Sequence, residues 1–77
     1  AQLRRMGLRR GVPDLCLPAA RGRYHGLYIE LKAVGGRATA EQKEYIAALC
    51  RQGFFAVVCV GGEAAARMIV DYLEGRL

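Results

Sequence analysis

The sequence predicts a small mixed α/β domain, a β-sheet covered by helices, and three observations carry that prediction. Leu27 to Ala33 alternates with period two, placing Leu27, Ile29 and Leu31 on one face and Tyr28, Glu30 and Lys32 on the other. Phe54 to Val60 is almost entirely apolar, as in a strand buried on both faces. Between them, Thr39-Ala40-Glu41-Gln42 has the form of a capping box and marks a helix start. A strand, a helix and a strand in this order imply a crossover between parallel neighbours.

The remaining elements follow along the chain. Leu3 to Leu8 suits a short helix, and Gly7 and Gly11 punctuate the approach to Pro13. Asp14 to Leu17 reads as a strand ended by Pro18, and residues 18–26 have the composition of a long hairpin connection. The first two strands are therefore expected to pair antiparallel. Gly35-Gly36 ends the second. The helix capped by Thr39 runs through Tyr45, Ile46 and Leu49 to Gly53, a left-handed stop. After Gly61-Gly62 a last helix sets Ala65, Met68, Ile69, Tyr72 and Leu73 at helical spacing to cover the sheet. The expected order is α-β-β-α-β-α, an α/β or α+β sandwich forming a single domain over residues 1–77.

With 77 residues, 53% of them apolar and 25% charged, the composition is globular. A chain of this size buries only about 60% of its unfolded surface, so a partner copy, a metal or a further segment is expected to stabilise it. No apolar run reaches the ~20 residues needed to span a bilayer, and the N-terminal charges precede no apolar stretch of a secretory signal. Cys16, Cys50 and Cys59 are odd in number and lack paired spacing, which argues against a disulfide framework or structural zinc and for buried thiols in a reducing cytoplasm.

The net charge of +5 is unevenly distributed. Residues 1–38 hold eight cations and two acids, net +6, whereas residues 39–77 hold four cations and five acids, net −1. A polyanion against the N-terminal half accounts for this asymmetry. Ten of the twelve cations are Arg, whose planar fork suits phosphate oxygens.

The two acids of the basic half are Asp14 and Glu30. Paired as a hairpin, the first two strands bring Asp14 beside Glu30, with Lys32 two residues further along the same face. Two adjacent carboxylates repel, and a hard divalent cation offsets the repulsion: Mg²⁺ accepts one or two carboxylates with waters and leaves room for substrate phosphate. The Leu31 carbonyl offers a further oxygen, and Lys32 a compact cation for a water or for developing charge. Gln42 lies four residues before Ile46, near the buried face of its helix. Its amide either closes the capping box with Thr39 or reaches the metal site or a phosphate, and the spacing leaves both open.

Gly11-Val12-Pro13-Asp14-Leu15, Gly26-Leu27-Tyr28-Ile29-Glu30-Leu31-Lys32, Thr39-x-x-Gln42 and Gly53 before the apolar strand resemble, in order and spacing, the VRR-NUC family of the PD-(D/E)XK nuclease superfamily. The resemblance implies that superfamily's restriction-endonuclease-like core and a Mg²⁺- or Mn²⁺-dependent endonuclease hydrolysing DNA. It makes Asp14 and Glu30 metal ligands, Lys32 the catalytic lysine and Gln42 the polar residue of the helix. Small stand-alone members are associated with homodimers that cut branched DNA such as four-way junctions; larger repair proteins carry the domain with other modules. Family members begin with a helix bearing another acid, then a strand, before the Gly-x-Pro-Asp motif. No acid precedes Asp14 here, so the expectation is a piece lacking that helix and strand. A DNA-binding or interaction module without turnover is the competing expectation. Either is expected in the cytoplasm as a bacterial or phage-encoded protein, or in a nucleus if part of a larger eukaryotic repair protein.

Arg9, Arg10 and Arg37 flank the motifs and suit phosphate contact. Tyr28, on the face of Glu30, suits stacking on a base or sugar and equally cross-strand packing. His25 has no second ligand at metal spacing, Arg21 and Arg23 read as solubilising charge, and Glu63, Asp71 and Glu74 as a solvated helix face.

Overall fold

The computed structural model describes residues 11–77. The expected helix Leu3–Leu8, together with Arg9 and Arg10, lies outside the described residues. Strands β1 (Leu15–Leu17), β2 (Leu27–Lys32) and β3 (Phe55–Val60) and helices α1 (Ala40–Arg51) and α2 (Gly62–Leu73) follow in the order β1-β2-α1-β3-α2. The sheet has the spatial order β1-β2-β3. β1 and β2 are antiparallel, with Leu15 opposite Ile29 and Leu17 opposite Leu27. β2 and β3 are parallel, with Leu27 opposite Phe55 and Lys32 opposite Val60. The hairpin and the crossover both form as the sequence predicts.

The alternation of β2 separates two cores. Leu27 and Ile29, each 1% exposed, pack with Cys59, Ala65 and Tyr72 beneath α2. Tyr28 faces the other way, with Phe54 and Ala56 against Tyr45, Ala48 and Leu49 of α1. A helix therefore covers each face, and β2 is the central strand. Met68 and Ile69 support the α2 core, while Leu73 at its rim is 37% exposed.

Two expectations need correction. β3 is only half-buried over most of its length, and Val60 is 49% exposed. Its continuous apolar run suggested a strand buried on both faces, but among the described residues β3 is a sheet edge. The thiols are not uniformly buried either: Cys16 and Cys50 are exposed and only Cys59 is buried. Cys16 lies on an edge strand and Cys50 near the end of α1, where a small thiol needs no burial. Burial pushes the Cys59 thiol above its ordinary value.

The connection between β1 and β2 is tied down at long range. The Tyr72 hydroxyl donates to the Ala19 carbonyl at 2.7 Å. Arg21 Nε donates to the Leu73 carbonyl at 2.9 Å, placing a cation at the carbonyl end of α2. Arg21 thus caps a helix 52 residues away, a role its loop composition does not reveal. At the end of α1, Gly53 has φ +93°, and a Cβ there would meet the His25 ring at 2.7 Å. The same glycine accepts the His25 backbone N–H at 3.0 Å, so His25 serves to close the hairpin loop on α1.

Candidate active site

The β1–β2 register, extended by one residue, sets Asp14 opposite Glu30. Asp14 lies in the bend before β1, and its Oδ2 accepts the Leu31 backbone N–H at 2.9 Å. The bond holds an exposed carboxylate at the end of β2, beside the residue that follows Glu30. The buried Pro13 before it restricts the backbone there.

Glu30 points to the α1 side of the sheet and is 3% exposed. Its Oε2 accepts Nε2 of Gln42 at 2.9 Å and lies 3.2 Å from the Lys32 ammonium. Its Oε1 is buried and has no hydrogen-bond partner among the described residues. A buried carboxylate oxygen without a partner is destabilising. Half of Glu30 is thus fixed by an amide and a cation, and half is left as a bare electron-pair donor. The Lys32 side chain is 18% exposed.

Gln42 closes the capping box and also bonds a candidate metal ligand. Its Oε1 accepts the Thr39 backbone N–H at 2.7 Å, and its own backbone N–H donates to Thr39 Oγ1 at 3.1 Å, completing the capping box. Its Nε2, left over from the cap, donates to Glu30. One amide therefore ends a helix and holds a carboxylate.

Asp14, Glu30, Leu31, Lys32 and Gln42 are brought together. Tyr28 lies two residues before Glu30 on the same face, half-buried, with its ring 5.4 Å from that of Phe54 in an edge-on arrangement. The facing Cys16 thiol, and then burial, raise the Tyr28 phenol above its ordinary value. Arg37 is exposed in the connection between β2 and α1, and Arg9 and Arg10 lie outside the described residues. Sequence reasoning missed Gly11, which packs on the first turn of α1; a Cβ there would lie 2.8 Å from the Glu41 carbonyl oxygen. Its place in Gly-x-Pro-Asp was the available signal.

Divalent-cation chemistry fits these donors. Two carboxylates and a nearby carbonyl form a hard oxygen set, and Mg²⁺ needs no more than one or two carboxylates from a protein. The unpartnered Glu30 Oε1 is the atom such an ion would satisfy. No group of three or more His, Cys, Asp or Glu ligands occurs among the described residues, so substrate and water would complete the shell. None of the described helices is long and apolar enough to cross a membrane.

The VRR-NUC domain model matches residues 1–63 of the chain. A solved structure described as a VRR-NUC domain protein is 42% identical and superposes with a TM-score of 0.84 over 95% of this chain. The chain spans 61% of that protein. No curated protein matches.

Proposed function

The chain belongs to the VRR-NUC family, a nuclease-type domain, and from that premise we propose that it is a divalent-metal-dependent endonuclease hydrolysing DNA phosphodiester bonds, selective for branched DNA such as four-way junctions. The observation that supports this reading best is Glu30: buried, held through one oxygen by Gln42 and Lys32, and unpartnered at the other among the described residues. Asp14, Glu30 and the Leu31 carbonyl would hold Mg²⁺ or Mn²⁺. When bound, the ion supplies Lewis acidity toward a phosphate oxygen and lowers the pKa of water. Lys32 presents a cation beside the ligands, where it neutralises charge developing on the phosphate. Gln42 keeps Glu30 in one rotamer. Arg9, Arg10, Arg37 and Tyr28 would contact the DNA, and the half-buried Tyr28 offers at most a ring edge. With DNA as substrate the protein would act in the cytoplasm, if bacterial or phage-encoded, or in a nucleus.

The second reading, a DNA-binding module without turnover, is favoured by the small ligand set among the described residues. Labelled four-way junction and linear duplex, incubated with Mg²⁺, Mn²⁺ or EDTA, separate the two. Metal-dependent cutting of the junction, lost in Glu30→Ala with its fold verified by circular dichroism, is expected. Binding without cutting in either metal leaves the module.

A homodimer completes the proposal. Val70 and Leu73 of α2 and Leu77 beyond it are large apolar residues left 48%, 37% and 45% exposed. A two-fold pairing there would bury them. Light scattering at micromolar concentration is expected to give twice the chain mass, and the monomer mass rejects this part.

A further inference from the structure

Asp14 and Glu30 come from different elements, yet Glu30 is bonded to the first turn of α1 and the loop leading to Asp14 rests on the same turn. On the Glu30 side, the Gln42 amide has a single acceptor oxygen, and that oxygen is committed to the Thr39 N–H at 2.7 Å. The amide plane is thereby set, and Nε2 faces Glu30 Oε2 at 2.9 Å. On the Asp14 side, Gly11 stands three residues earlier with φ +104°, a left-handed conformation that L side chains rarely adopt. A Cβ at Gly11 would come within 2.8 Å of the Glu41 carbonyl oxygen and 3.2 Å of the Gln42 nitrogen, so the loop rests directly on the helix backbone. Pro13, buried and fixed in φ, makes the link from Gly11 to Asp14 stiff.

We propose that the first turn of α1 acts as a gauge setting the separation of the Asp14 and Glu30 carboxylates, with Thr39 and Gly11 as positioning residues that themselves touch neither metal nor DNA. This rests on the metal-dependent reading above and deepens it. Removing the Thr39 hydroxyl leaves the Gln42 backbone N–H without its cap, the first turn frays, and the amide on Glu30 moves with it. The Glu30 carboxylate then turns about its soft terminal torsion toward Lys32. A methyl at Gly11 instead lifts the loop from α1 and carries Asp14 away. Either change misplaces ligands without altering one.

Calorimetric titration of the full chain with Mn²⁺, without DNA, tests this separately from catalysis. Thr39→Ala and Gly11→Ala are expected to bind Mn²⁺ about 10-fold more weakly, the scale of outer-shell changes at metal sites. Thr39→Ser restores the hydroxyl and is expected to match the parent chain. Thr39→Gly, tolerated at caps but lacking the acceptor, keeps the test open should Thr39→Ala not fold. Ala66→Gly, on the exposed side of α2, loosens the fold elsewhere and is expected to leave Mn²⁺ affinity unchanged. Unchanged affinity in Thr39→Ala and Gly11→Ala, with Asp14→Asn and Glu30→Gln losing it, overturns the gauge and leaves the metal reading standing. An equal loss in Ala66→Gly overturns it too, since general loosening would then suffice. No Mn²⁺ affinity in the parent chain overturns both.

Discussion

Glu30 is costly in isolation and workable in company. Its side chain is 4% exposed, and among the described residues its one ion-pair partner is Lys32, at 3.2 Å. Deleting one partner of a buried pair leaves an uncompensated charge, which costs about 3 kcal/mol. Lys32→Ala is therefore expected to abolish cleavage and also to lower the urea midpoint, so lost activity alone would not identify a catalytic lysine. Glu30→Gln combined with Lys32→Met removes both charges and keeps the volume. That double variant is expected to recover most of the stability while remaining inactive. A double variant as unstable as Lys32→Ala would mean that the ion pair is not what holds this region.

At the scale of elements, α1 carries two duties at its first turn. A capping box is closed by Glu or Gln alike, but here the remaining half of the amide bonds a carboxylate. Gln42→Glu is expected to keep the cap while setting two carboxylates about 3 Å apart, a spacing at which one of them holds its proton to higher pH. A carboxyl whose folded pKa is raised stabilises the fold below its unfolded pKa and loses that contribution as pH rises through the folded value. The variant should thus fall below the parent in urea stability at pH 8 but approach it at pH 4, with millimolar Mn²⁺ restoring part of the loss at pH 8. Equal deficits at both pH values would reject the close carboxylate pair. The capping box and the alternation of β2 were legible because they are local signals, read within four to seven residues, and the β1–β2 pairing of Asp14 with Glu30 follows from them. The half-exposed state of β3, the exposed thiols of Cys16 and Cys50 and the helix-capping Arg21 were not. Each depends on which element lies beside it in space, and an apolar run or a loop arginine carries no record of its neighbour. Gly11 lies between these cases: its motif was visible, but its contact with Glu41 belongs to the folded chain.

For the whole molecule, a small domain with an unpartnered buried oxygen should gain from ligand binding more than a large one. An ion that binds only the folded state at a concentration 100 times its Kd adds about 2.7 kcal/mol, and each kcal/mol moves the midpoint of a domain this size by about 4–8 °C. Mn²⁺ is therefore expected to raise the melting temperature by at least about 10 °C over EDTA, and Asp14→Asn or Glu30→Gln to remove most of that rise. Scanning calorimetry measures it directly; an equal rise in both variants would place the ion elsewhere. The contacts of Tyr72 with Ala19 and of Arg21 with Leu73 join positions 53 and 52 residues apart. Contacts of such separation form late, because the loop they close must first lose its freedom. A growing chain therefore contains Asp14, Glu30, Lys32 and Gln42 well before α2 exists to pin the hairpin. The motif is complete from the moment it is synthesised, whereas the ties of its hairpin loop to Tyr72 and Leu73 wait for the last helix.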